Sequence, residues 1–149
     1  TTDSSDDSED EDFPGFVYGR VNYTAGGLTR FAAFFASSND SDRPYLGSGM
    51  FVYRDTNNNW YNVSIRRVAI SDDDVYFAGR VTSASNPSWR NQWLYAKVHD
   101  GGSSGDQIWG SFVSGSNALM HFTQQNNLTN PTDGPFNITN GNILVVSSL

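Results

Sequence analysis

Two segments of this 149-residue chain hold side chains whose spacing suits chemistry. The run "VHDGGSSGD" places Asp100 and Asp106 at the ends of a glycine-rich loop, where both carboxylates could converge on a hard cation. Ca²⁺ takes about six to eight oxygens, so two carboxylates with a few carbonyls make a thin supply. An Asp-Gly turn between strands accounts for the same residues. Asp100 and Asp106 are therefore Ca²⁺ candidates in a chain otherwise expected to need no cofactor. A second acidic cluster, Asp72, Asp73 and Asp74, reads as a polar hairpin tip.

Catalytic chemistry has little else to build on. Cysteine is absent, and the only histidines, His99 and His121, show neither H-x-H nor H-E-x-x-H spacing. A Ser–His–Asp set assembles in space, but His99 reads as a strand-end residue and His121 as part of a short strand. From Phe13 onward every acid is Asp, in loop or strand-end contexts, with no Glu to form the paired carboxylates of glycoside hydrolysis. The chain is expected not to be an enzyme.

Binding residues are better represented. Asn22, Asn39, Asn62, Asn127 and Asn137 each open an N-x-[ST] sequon. Strand alternation puts Asn22, Asn62 and Asn137 on solvent faces and leaves Asn39 and Asn127 in loops, the exposure an N-glycan requires. The expectation is a secreted, extracellular glycoprotein. Ten Phe, seven Tyr and four Trp also offer flat faces to sugars, with Trp60, Trp89, Trp93, Tyr95 and Trp109 as candidates. In a chain poor in Leu and Ile most such rings must fill the core. Trp60 is the best exception, because it shares a polar face with Asn62, Ser64 and Arg66.

Charge is segregated. Asp3, Asp6, Asp7, Glu9, Asp10, Glu11 and Asp12 form a block without a base, while nine acids and nine bases balance from Phe13 onward, so the block carries the net −7. No basic stripe exists to neutralise phosphates, which argues against nucleic acid. Eight of the nine bases are Arg, suited to forked pairing with carboxylates. The acidic block is expected to lie on an Arg-bearing surface of a neighbouring copy, with Arg66 and Arg67 among the partners.

These residues must be positioned by strands. Period-two runs at 16–23, 28–37, 49–55, 60–70, 74–83, 91–100, 107–115, 118–124 and 142–149 alternate with segments rich in Gly, Asn, Asp and Pro. No stretch sustains a helical apolar period. The expected fold is all-β: a single-domain antiparallel β-sandwich over 14–149, with a β-barrel as the alternative, preceded by an acidic extension over 1–13. No run approaches the ~20 apolar residues of a membrane span, and the start at Thr1 reads as a mature, processed form.

The segments "LGSGMFVYRD", "VSIRRVAISDDDVYFAGRV" and "WLYAKVHDGGSSGDQIWGSF" resemble small secreted β-sandwich domains of bacterial and fungal extracellular proteins. The resemblance spans Leu46 to Phe112 and rests on a V-x-D-x-G-x-x-G-D-like run following paired strands. It implies a noncatalytic surface module and transfers no site residue.

The chain's ends complete the expectation. "NILVVSSL" is apolar on both faces at Ile143, Leu144, Val145 and Val146, as for a strand covered on two sides. With the acidic block at the other end, this suits a subunit of an extracellular filament or surface fibre, assembled head-to-tail through exchange of terminal strands and tails. The alternative is a secreted glycan-binding or adhesive module.

Overall fold

Hydrophobic alternation over eight successive runs leaves each strand with one apolar face, and closing the sheet on itself buries all eight faces at once. In the computed structural model, which describes residues 15–40, 42–102, 105–123 and 128–147, this is what the chain does. The strands are β1 (Gly15–Ala25), β2 (Leu28–Ser38), β3 (Leu46–Asp55), β4 (Trp60–Ser71), β5 (Asp74–Ala84), β6 (Trp93–His99), β7 (Gln107–Val113) and β8 (Phe136–Ser147). Each is antiparallel to the next, and β8 returns to β1, giving a closed up-and-down barrel. Of the two expected architectures the barrel is the one formed. The deciding contact is terminal: β1 and β8 pair from Gly15↔Ser147 to Tyr23↔Ile138, leaving no free edge between the chain's ends.

Local chemistry sets the register. Gly26 and Gly27, both with positive φ, make the two-residue turn that pairs Ala25 with Leu28. Inside the barrel large side chains face small ones. The Phe34 ring lies over Gly19, where an added Cβ would sit 2.3 Å from Cζ, and Phe34 also packs on Phe51 and Phe77. Burying a ring of this size contributes about 1.5–3 kcal/mol from its apolar area alone. Phe77, wholly enclosed, is the centre of this layer.

Two expectations change. A register shift between Ile65 and Arg67 moves the alternation of β4 by one residue. Val68 and Ile70 therefore turn into the barrel, while Ala69, which unbroken alternation over 60–70 would set beside Tyr61, Val63 and Ile65, joins an outer cluster. Covering that cluster is α1 (Gly115–Thr123), where alternation suggested a strand over 118–124. Ala118 and Phe122 satisfy both periods, being even-numbered neighbours and also four apart. Ser114 decides the matter: its hydroxyl accepts from Asn117 N at 3.2 Å and its carbonyl from Ala118 N at 2.9 Å. The helix then seats Ala118 and Phe122 on Ala69, Ala78 and Tyr95.

One seam is weak. β7 and β8 share only the pairs Gln107↔Asn137 and Ile108↔Phe136. Beyond them the wall is completed by residues 128–135, through Gly110 N to Asp133 O at 3.0 Å and Asp133 N to Ser111 Oγ at 3.1 Å. No helix among the described residues is long and apolar enough to cross a membrane.

Candidate functional site

The two ends of the barrel are filled differently. At the end where the chain enters, Val17, Val68, Val75, Val98 and Ile143 close the interior. At the other end the inward positions are Tyr23, Arg30, Tyr53, Tyr61 and Phe112, and they surround a cavity of about 360 Å³. Its existence traces to two small residues. Ala96 and Gly110 are register partners on β6 and β7 and both line it, so two adjacent inward positions lack bulk where Phe or Val stand elsewhere. Trp89, in a short 3₁₀ turn (Pro87–Trp89), leans over the mouth with its ring centroid 6.1 Å from that of Tyr61.

The rings form a cage of two groups, Tyr53–Tyr61–Phe112–Trp89 and the pair Tyr23–Phe136. Tyr53 and Tyr61 stack at 4.7 Å, Tyr61 meets Phe112 edge-on at 5.0 Å, and Tyr23 stacks on Phe136 at 5.6 Å. Burial raises the Tyr23 hydroxyl to about 12, with the Arg30 charge pulling against that rise and Asp55 adding to it. Burial likewise pushes Tyr53 and Tyr61 well up, Tyr53 aided by its hydrogen bond to Asp55. All three phenols therefore stay neutral across the physiological range and offer hydrogen bonds rather than charge.

The mouth's cation is Arg30. Its Nε donates to Ala25 O at 3.3 Å and its guanidinium lies 6.0 Å from the Tyr53 ring centroid. Asp55 is its register partner across β2 and β3, yet that carboxylate is engaged elsewhere. It accepts from Tyr53 OH at 2.9 Å, Asn57 N at 2.9 Å and Asn59 N at 3.2 Å, all within its own hairpin. Partial desolvation raises the Asp55 carboxyl, but these bonds outweigh it and hold it below its ordinary range. Among the described residues Arg30 has no carboxylate within ion-pair distance.

The sequence candidates fall elsewhere. Asp100 and Asp106 are brought together at the closed end, but their oxygens serve the backbone. Asp106 Oδ2 accepts from Ile143 N at 2.8 Å and Oδ1 from Gly101 N at 3.0 Å; Asp100 Oδ2 accepts from Val145 N at 3.3 Å and Oδ1 from Gly102 N at 3.3 Å. The two carboxylates thus stand in for the missing β7 ladder along β8. No group of three or more potential metal ligands occurs among the described residues. His99 pairs across the sheet with Asp74, Nδ1 to Oδ1 at 2.6 Å, and His121 stacks on Tyr95.

The expected assembly residues divide. Asp3, Asp6, Asp7, Glu9, Asp10, Glu11 and Asp12 lie outside the described residues, as does Asn127. Arg66 is exposed, with Nε 3.4 Å from Ser64 Oγ, and Arg67 Nη1 donates to Arg66 O at 3.3 Å. In β8, Ile143 and Val145 point inward while Leu144 and Val146 stay exposed. Leu144, Tyr18, Phe35 and Met50 are successive register partners across four strands. Their exposures of 47%, 46%, 48% and 60% make one apolar row on the outer wall. Phe16 and Val146 flank it, Phe16 stacked on Phe35 at 5.6 Å.

Of the sequons, Asn39 and Asn137 are exposed, and Asn22 and Asn62 half-buried on the outer wall. Asn62 Nδ2 donates to Ser83 Oγ at 3.0 Å. Trp60 does face solvent, beside Phe31, Val52 and Arg54 in a shallow groove. Trp89 and Trp109 both line the cavity; the Trp89 ring packs on Tyr61 and Phe112, while Trp109 is buried with Lys97 over it at 4.5 Å. Sequence reading missed Arg30, Tyr23, Tyr53 and Ala96–Gly110. Their shared inward parity is legible only once a barrel end is defined. Comparison with protein families, with curated proteins and with solved structures finds no match to this chain.

Proposed function

We propose that this barrel is a binding module that takes a small, ring-bearing molecule end-on into its aromatic mouth. The observation that carries this reading is the cavity itself, about 360 Å³, lined by aromatic rings with a few convergent polar groups. Eight-stranded barrels are wide enough to fill with side chains or to hold one small ligand, and here Ala96 and Gly110 tip the balance toward room. Binding sites of this kind are largely apolar, with a few polar groups fixing orientation. A binding role is favoured over catalysis because the ionisable groups at the mouth are neutral phenols, a guanidinium, the turn-bound Asp55 and Asp133 in the wall segment. None forms a nucleophile–base pair.

The test is calorimetric titration with a panel of mono- and bicyclic aromatics, on the native chain and on Gly110→Leu. A ligand of micromolar to low-millimolar affinity that Gly110→Leu weakens at least tenfold supports the reading. No binding across the panel, or binding indifferent to that substitution, refutes it.

A second reading concerns assembly. The apolar row Leu144–Tyr18–Phe35–Met50 favours association of copies wall to wall, as in an extracellular fibre, rather than by exchange of β8, which already pairs with its own β1. Glycans at Asn22 and Asn62 would lie nearer the open end and leave that row free. An extracellular setting is part of the same proposal.

A further inference from the structure

We propose that the molecule taken into the mouth is an aromatic carboxylate, its acid group held by the Arg30 guanidinium and its ring among Tyr61, Trp89 and Phe112. The inference rests on the cavity being a ligand site and adds the ligand's charge. Four observations lead to it. Among the described residues Arg30 is the only base lining the cavity. Its register partner Asp55 could neutralise it, but that carboxylate is taken by the Tyr53 hydroxyl and the amides of Asn57 and Asn59. The guanidinium is half-buried and anchored through Nε on Ala25 O, which leaves its Nη atoms for a fork. It lines the cavity and lies 6.0 Å from the Tyr53 ring centroid, which places it at the rim of the ring-lined space.

An unpaired guanidinium beside buried rings is poorly solvated by water and poorly compensated by protein. A planar acid answers both deficits: the carboxylate takes the forked donors and the ring replaces water against Tyr61 and Phe112. The one other charged side chain lining the cavity among the described residues is negative: Asp133 sits in the segment that completes the wall beside β7, where its amide and carbonyl are used by Ser111 and Gly110. Asp55, the register partner of Arg30, is bound to its own turn. A carboxylate ligand is thus steered to the Arg30 side of the mouth.

The experiment compares three probes of one shape on the full chain by calorimetry at neutral pH: naphthylacetate, naphthylethanol and naphthylethylamine. The acid is expected to bind at least tenfold more tightly than the alcohol, and the amine more weakly than the alcohol. In Arg30→Gln the acid's advantage over the alcohol, both measured on that variant, should vanish, with folding checked by thermal melt. Arg30→Lys, which keeps charge without the fork, should retain part of the advantage and serves if the Gln variant does not fold. Equal binding of acid and alcohol, preference for the amine, or an advantage that survives Arg30→Gln overturns the proposal while leaving the cavity reading intact. Failure of all three probes to bind the native chain overturns both.

Discussion

Replacing Asp106 removes the clasp that holds β8 where the β7 ladder gives out. The residue is 9% exposed, and its two oxygens accept from Ile143 N at 2.8 Å and Gly101 N at 3.0 Å. A hydrogen bond to a charged group contributes about 1.5–3 kcal/mol, and removing the acceptor leaves a buried amide without a partner. Asp106→Asn keeps one acceptor and turns an NH₂ toward the other amide, so about 1.5–3 kcal/mol should be lost. Asp106→Ala loses both, about 3–5 kcal/mol, a large share of a stability that is typically about 5–15 kcal/mol. For a domain of this length that corresponds to a fall in Tm of about 5–10 °C for Asn and about 10–15 °C for Ala. Circular dichroism melts give the shift, and amide exchange at Ile143 should accelerate in both variants before the core amides respond. The same melts in chelator and in about 1 mM Ca²⁺ should coincide for the native chain, since the carboxylates already serve the backbone. Variants melting within about 1 °C of the native chain would refute the clasp. A Ca²⁺-dependent rise of several degrees would show instead that these oxygens serve a cation.

Other expectations follow from the same geometry. Filling the mouth with Gly110→Leu should weaken ligand binding at least tenfold: a Cβ there meets only Leu94 Cδ1 at 3.6 Å, and the further carbons take up room in the cavity that Gly110 lines; a melt and a titration on one sample check that binding is lost from a folded chain. Tyr23, Tyr53 and Tyr61 have hydroxyls raised above the ordinary value of 10.0 by burial, so the folded state holds these protons more tightly than the unfolded chain. Their contribution to stability is complete below pH 10 and declines as pH rises toward the folded values, about 12 for Tyr23. Denaturant midpoints should therefore hold level up to about pH 9 and fall beyond about pH 10, with the share of phenolate absorbance that belongs to these three rings appearing together with unfolding. Phe35→Lys, at the centre of the outer row, should dissociate any higher assembly seen by sedimentation without lowering Tm, and a native chain that is monomeric at all concentrations would remove the assembly reading. In a glycosylating host, Asn137→Gln should lower the mass by one glycan.

Much of the architecture is already in the order of residues. Alternation of apolar and polar side chains, with Gly-Gly, Asp-Gly and Asn-rich punctuation, dictates antiparallel strands joined by short turns, because strand faces are set by a period of two. The outward placement of Asn22, Asn62 and Trp60 follows from the same count. Parity cannot survive an inserted residue, however, so the register shift after Ile65 sent Ala69 outward and Val68 inward. Nor can it separate strand from helix where Ala118 and Phe122 suit both periods; the Ser114 cap starts the helix, and packing onto Ala69 and Ala78 then seats it.

Closure was a tertiary decision. Whether eight strands stack as two sheets or wrap into one depends on the pairing of Val17 with Val145 and its neighbours across the whole chain length, a contact that neither end announces. The mouth belongs to the same category. Arg30, Tyr53, Tyr61 and Gly110 lie on four strands, and only wrapping places their inward positions at one end. Asp100 and Asp106 make the point most plainly: as residues they could serve a turn, a cation or a strand. The short β7–β8 ladder left amides at Ile143 and Val145 needing acceptors, and the carboxylates went there.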